Sequence, residues 1–133
     1  MFGNRTIQIR RNTDGRWIVA RDDPKKPFKP GDRITWTLDP KEYPNISAHF
    51  QFVDLDLVED WNKGASPPAI TADLTAKIDQ GAGSLLLQIR KDVFLPLSKR
   101  FYAVWIRDPA LPLGGWYAVG ETLNPPPELD LGP

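Results

Sequence analysis

The segment RITWTL at residues 33–38 gives the clearest strand signal in the chain. Its apolar side chains, Ile34, Trp36 and Leu38, alternate with arginine and threonine. Because successive side chains of a strand point to opposite faces of the sheet, these three share one face. The alternation and the β-branched residues predict a half-buried strand of an antiparallel sheet, with its apolar face on a core.

Similar segments occur on both sides of this strand. Strands are predicted at residues 6–10, 17–19, 50–57, 85–89, 101–106 and 116–119. Residues 71–79 fit two interpretations. Ile70, Leu74 and Ile78 are spaced by four, as on a short helix, whereas residues 74–78 also fit a strand.

Two of the predicted strands depart from simple alternation. In residues 50–57 the phase of the alternation changes near Phe52 and Val53, which indicates a β-bulge or two short strands. Residues 101–106 are apolar on both faces, which predicts a central strand. Trp105, inside this segment, is accordingly expected in the core.

Composition favours one β-rich domain. The chain has 133 residues, and its 14 prolines and 10 glycines are spread as turns between short elements. We therefore predict an all-β, single-domain antiparallel sandwich of about seven to eight strands with at most one short helix. The sandwich is expected over residues 1–120. Residues 121–133 are predicted as an extended Pro-rich tail, whose Leu129 and Leu131 pack on the body or on a partner.

Charge and composition exclude several classes of function. Lys and Arg number 17, as do Asp and Glu, so the broad basic footprint of a nucleic-acid-binding protein is missing. The absence of cysteine excludes disulfides and thiolate metal sites. No apolar stretch approaches the roughly 20 residues that span a bilayer, and no signal peptide is recognisable. These features predict a cytoplasmic protein, or a periplasmic one if a leader was removed.

Three segments together resemble the cupredoxin family. They are PFKPGDRITW at residues 27–36, His49 with the strand that follows it, and residues 101–105 with 115–119. In cupredoxins, a Gly-Asp pair precedes a strand like the first segment, and the histidine is the first copper ligand. The resemblance covers about two thirds of the chain and implies a cupredoxin-like Greek-key β-sandwich.

The chain departs from the cupredoxin pattern at the copper ligands. That site requires a cysteine thiolate, two histidines and usually an axial methionine, but the chain has no Cys, one His and only Met1. The segment that corresponds to the ligand loop, residues 106–114, contributes Asp108 as a candidate binding residue. The resemblance therefore implies a sandwich without copper, and no cofactor is expected.

His49, the sole histidine, has two interpretations. As a general base it requires a nucleophile and an orienting carboxylate, for which Ser47, Asp54 and Asp56 lie near in sequence. The alternative is a hydrogen-bonded or solvated histidine at the start of a strand.

An acidic cluster is the next candidate site. It consists of Asp54, Asp56, Glu59 and Asp60. These carboxylates fit a hard cation such as Ca²⁺, but also the solvent-facing side of a strand.

The tryptophans provide the remaining candidates. Trp61 lies in a polar connection, and Trp116 follows two glycines, so both are expected to be exposed. Exposed aromatic rings stack on sugars or anchor protein partners, and they also cover the ends of sandwiches.

Three hypotheses for function follow. The first is a non-catalytic module that binds a protein partner through an edge strand, its loops or the tail. The second is a small-molecule or glycan-binding domain that uses Trp61 or Trp116. The third is an enzyme that uses His49 with acidic neighbours.

Overall fold

The computed structural model describes residues 3–20, 26–52, 58–62, 64, 66–92, 98–110, 115–120 and 127–131. Over these residues the chain is all β, with eleven strands in two sheets and no helix. The sheets share one hydrophobic core, as in a β-sandwich. The predicted all-β class is thus confirmed at this level, whereas the predicted number of about seven to eight strands is too low, because short strands such as β5, β10 and β11 were not recognised separately. The Greek-key and cupredoxin-like topology stays a prediction.

The strands follow one another in this order: β1 Asn4–Arg11, β2 Trp17–Val19, β3 Arg33–Thr37, β4 Ser47–Phe52, β5 Val58–Asp60, β6 Thr75–Ile78, β7 Ser84–Ile89, β8 Ser98–Arg107, β9 Gly115–Tyr117, β10 Val119–Gly120 and β11 Glu128–Leu131. The first sheet has the order β10-β2-β1-β3-β7-β5. The second has the order β11-β8-β4-β6, and β9 also pairs with β8.

The first sheet is mixed, which differs from the antiparallel arrangement that we predicted. β1 runs parallel to β3, and β10 runs parallel to β2. After the β1–β2 hairpin the chain crosses to the other side of β1, where β3 enters in the same direction as β1. The alternation of side chains has the same period in both directions, so the sequence pattern does not encode strand direction.

Residues 71–79 form a turn and the strand β6, so the helical interpretation is wrong. Leu74 has a φ of 63°, in the left-handed region, which a helix does not continue through. Phe52 donates its N–H to Leu74 O at 2.9 Å, which aligns β6 with β4. Thr71 makes two hydrogen bonds with the peptide groups of Thr75. The Thr71 N–H donates to Thr75 O at 2.9 Å, and the Thr75 N–H donates to Thr71 Oγ1 at 3.2 Å.

The predicted tail contributes a strand to the second sheet. β11 pairs with the first half of β8, and Leu129 and Leu131 are buried in the common core. Of the two outcomes expected for these leucines, packing on the body is the one observed. The prolines at residues 125 and 126, and the β-bulge predicted near Val53, lie outside the described residues.

An aromatic cluster joins the two sheets. Trp36 of β3 packs edge-on against Phe50 of β4, with the ring centroids 5.5 Å apart, and against Tyr102 of β8 at 5.8 Å. The Trp36 indole donates its N–H to the Tyr102 hydroxyl at 3.0 Å. All three rings are buried, and burial raises the pKa of Tyr102 well above its usual range. The hydrogen bond therefore supplies the partner that a buried indole requires.

We predict that Tyr102→Phe lowers the free energy of unfolding by about 1–3 kcal/mol, because it leaves the Trp36 N–H buried without an acceptor. Urea denaturation followed by far-UV circular dichroism measures the change. Tyr117→Phe is the matched control, since Tyr117 is 67% exposed. Equal stability of the two variants would contradict the importance of the inter-sheet hydrogen bond.

Asp32 anchors the start of β3. Its Oδ1 accepts from the N–H of Gly3 and its Oδ2 from the N–H of Lys29, each at 2.9 Å. Arg5 Nη1 lies 3.8 Å from Oδ2. The preceding Gly31 has a φ of 88°, which favours glycine, and donates its N–H to Ile89 O at 2.8 Å. The Gly-Asp pair therefore fixes β1, β3 and β7 together.

Asp32→Ala is expected to destabilise the protein by at least about 2 kcal/mol, since it removes the acceptor of two sheltered backbone N–H groups. Thermal unfolding measures the loss. Asp14→Ala is the control, because Asp14 pairs with Arg16 at the exposed β1–β2 turn and should change stability little. Comparable losses in the two variants would refute the anchoring role.

Candidate functional site

A groove with a volume of about 1250 Å³ is lined by residues of both sheets. The lining comes from β4, β6, β8 and β9 of the second sheet, and from β7, the end of β5 and the connection between β5 and β6. It includes His49, Gln51, Trp61, Lys77, Trp105 and Tyr117.

Strand register brings three of these residues into one row. His49 of β4 pairs with Trp105 of β8 on one side and with Lys77 of β6 on the other. Residues directly opposite one another on neighbouring strands project to the same face. The next pair along, Phe50 with Val104, is buried in the core. The row of His49, Trp105 and Lys77 therefore lies on the outer face of the second sheet.

Trp105 and Tyr117 form an aromatic pair at the wall of the groove. They are cross-strand partners, with their rings nearly perpendicular and their centroids 4.7 Å apart. A Cβ atom at Gly115 would meet the backbone oxygen of Ile106 first, and it would also come 2.9 Å from Nε1 and Cε2 of the Trp105 indole. The indole can therefore occupy this position only because residue 115 has no side chain.

We predict that Gly115→Ala disturbs the pairing of β9 with β8, because its Cβ atom meets the backbone oxygen of Ile106, and that it also displaces the Trp105 indole. Both changes alter the near-UV circular dichroism that arises from the coupling of Trp105 to Tyr117. Gly81→Ala is the control. Position 81 is surrounded by open space but has a φ of +78°, so this substitution lowers stability without touching the aromatic pair. A near-UV spectrum of Gly115→Ala that matches the wild type would show that the indole does not depend on this glycine.

Trp61, in the connection that follows β5, also lines the groove. Its indole is half-buried, and the guanidinium of Arg33 lies over the ring, 4.8 Å from its centroid. Arg33 itself does not line the groove. The neighbouring Asp60 accepts the backbone N–H of Ile70 at 2.9 Å, which holds the connection against the end of β5.

His49 lies half-buried beside cationic side chains. Its Nε2 is 3.2 Å from Ser47 Oγ. Burial lowers the pKa of His49, and the positive charges of Arg107 and Lys77 lower it further, while Asp79 acts in the opposite direction. Ser47 is buried and does not line the groove, so its hydroxyl is not presented to a molecule bound there.

The four residues predicted as binding candidates are not brought together. His49 and Trp61 line the groove, whereas Trp116 and Asp108 do not. Trp116 is 56% exposed, as expected, but it pairs with Ile106 and so projects to the other face of the sheet. Asp108 accepts the N–H of Ala110 at 2.9 Å and thereby closes a turn.

Two groove residues differ from the sequence-based expectation. Trp105 was expected in the core but is half-buried at the groove, because the buried residues of β8 are its even-numbered neighbours Val104 and Ile106. Tyr117 was not singled out at all. Gly115 was an available signal for Trp105, because a glycine in a strand often marks the close approach of another group, but Tyr117 had no signal of its own.

The acidic cluster is only partly described. Glu59 Oε1 accepts from Gln88 Nε2 at 2.7 Å, and Asp60 Oδ1 accepts the backbone N–H of Ile70. Asp54 and Asp56 lie outside the described residues. Within the described ranges, no three or more His, Cys, Asp or Glu side chains are grouped so as to hold a metal ion.

No helix in the described part of the chain is both long and apolar enough to cross a bilayer. Comparison with protein-family models, curated proteins and solved structures gave no match. The resemblance to cupredoxins therefore stays a prediction.

Proposed function

We propose that this protein is a non-catalytic binding module that holds an oligosaccharide in the groove. The observation that carries the proposal is the Trp105–Tyr117 pair, fixed on the outer face of a sheet and open to a large groove. Aromatic rings offer flat apolar surfaces with a polar edge, which suit the apolar faces of sugar rings.

The remaining lining supplies hydrogen-bonding groups for hydroxyls. Asn62 carries an amide, Lys77 an ammonium group, and Asp60 and Asp79 carboxylates. The amide nitrogen of Gln51 already donates to backbone carbonyls, so this residue offers its oxygen. Together they provide both donors and acceptors around the aromatic surface, a combination typical of sites that orient a polar ligand.

The size of the groove favours a ligand of several rings. Its volume of about 1250 Å³ exceeds the roughly 300–1,000 Å³ of pockets for single small molecules. Trp61 and Trp105 both line the groove and so offer two aromatic contacts to a ligand.

The enzymatic hypothesis has less support. A base acting through Ser47 requires the hydroxyl to reach a substrate, but Ser47 is buried outside the lining of the groove. No carboxylate among the described residues makes a hydrogen bond to His49.

Binding of a protein partner is a second candidate, favoured by one observation. Trp116 is 56% exposed and lies outside the groove. Exposed tryptophans are enriched among the residues that dominate protein interfaces.

Titration calorimetry with a panel of tetrasaccharides tests the proposal; the panel includes oligomers of glucose, N-acetylglucosamine, mannose and galacturonic acid. We expect at least one to bind, and Trp105→Ala to weaken that binding by at least about tenfold. Trp105→Phe, which keeps an aromatic ring, should weaken it less.

Trp116→Ala is the matched control and should bind as the wild type does. Differential scanning fluorimetry checks that each variant is folded. Failure of every oligosaccharide to bind at millimolar concentration would overturn the proposal, as would equal losses from Trp105→Ala and Trp116→Ala.

A further inference from the structure

The outer face of β8 continues past the groove. Tyr102 and Val104 of this strand are buried in the core, so the alternating residues Phe101, Ala103 and Trp105 share the outer face. Ala103 and Trp105 line the groove, whereas Phe101 does not line it and is 49% exposed. A second aromatic ring thus follows Trp105 along the same strand, beyond the groove.

A small residue separates the two rings. Phe101 and Trp105 are four residues apart, which places their Cα atoms about 13 Å from each other along the strand. The methyl group of Ala103 lies between them, so no bulky side chain of β8 interrupts the path from one ring to the other. The strand therefore presents two flat apolar surfaces that are joined by a low floor.

A hydrogen-bond acceptor borders this floor. Gln51 of β4 is the cross-strand partner of Ala103 and lies on the same face of the sheet. Its Nε2 donates to the backbone oxygens of Phe52 and Asp73, each at 3.1 Å, which leaves the amide oxygen as the group that is open to a ligand. A sugar hydroxyl above Ala103 can donate to this oxygen.

We infer that the oligosaccharide extends along β8, with one sugar ring on the Trp105–Tyr117 pair and another on Phe101, outside the groove. The inference rests on the proposed function and names the length of the ligand, a chain of more than two rings. Adjacent rings of a disaccharide are closer together than the roughly 13 Å between the two positions, so only a longer chain reaches both.

A series of ligand lengths tests the inference. Disaccharides and hexasaccharides of glucose, N-acetylglucosamine, mannose and galacturonic acid are titrated calorimetrically into the wild-type protein. For a sugar that binds, we expect the hexasaccharide to bind at least about tenfold more tightly than the disaccharide, because the ring on Phe101 adds a contact of its own.

Substitution of Phe101 distinguishes this contact from the statistical advantage of a longer chain. Phe101→Ala should weaken binding of the hexasaccharide by at least about fivefold and leave the disaccharide unchanged, whereas Trp105→Ala should weaken both. Trp116→Ala is the matched control and should change neither, because it removes a comparably exposed ring from the other face of the sheet.

A second variant acts on the floor between the rings. Ala103→Leu places a branched side chain in the path of the ligand and should also reduce binding of the hexasaccharide more than binding of the disaccharide. Differential scanning fluorimetry checks that each variant is folded, so either Phe101→Ala or Ala103→Leu is sufficient to decide the test.

The outcomes separate the inference from the proposed function. A hexasaccharide that binds no more tightly than the disaccharide would overturn the inference. A folded Phe101→Ala variant that keeps both affinities, or loses both equally, would also overturn it. In each case binding of the disaccharide leaves the proposed function standing. Failure of every disaccharide and hexasaccharide to bind at millimolar concentration would overturn the proposed function, and the inference with it.

Discussion

The hydrogen bond between the Trp36 indole and the Tyr102 hydroxyl is the constraint on which the rest of the structure depends. It joins β3 of one sheet to β8 of the other inside a cluster of aromatic rings. Because side chains alternate along a strand, a Tyr102 that points inward makes Trp105 point outward. The same contact that closes the core thereby decides which aromatic residue faces the groove.

Local patterns were sufficient to predict most of the strands but not their arrangement. The alternation in β1 and β3 and the apolar run in β7 are properties of each segment and were visible in the sequence. The parallel pairing of β1 with β3 and the docking of β11 on β8 depend on contacts between residues far apart in the chain. A four-residue strand such as β11, which follows a run of prolines, gives too short a pattern to reveal its partner.

The residues of the candidate site were likewise predicted only in part from the sequence. His49 and Trp61 were found because a lone histidine and a tryptophan in a polar connection are conspicuous in the sequence. Trp105 was misplaced because its segment is apolar on both faces, and an apolar outer face looks the same whether a core or a groove covers it. Only the pairing of β8 with β4 and β9 shows that Trp105 faces the groove and not the core.

The turn before β6 has a consequence for self-association. An edge strand with open peptide groups invites another chain to add to the sheet, and this is how many β proteins aggregate. In β6, Thr71 occupies both the N–H and the C=O of Thr75, so an incoming strand finds no pairing partner there. The Thr71–Thr75 pairing thus limits strand addition at this end of β6, and it leaves the outer face of the sheet accessible to ligands.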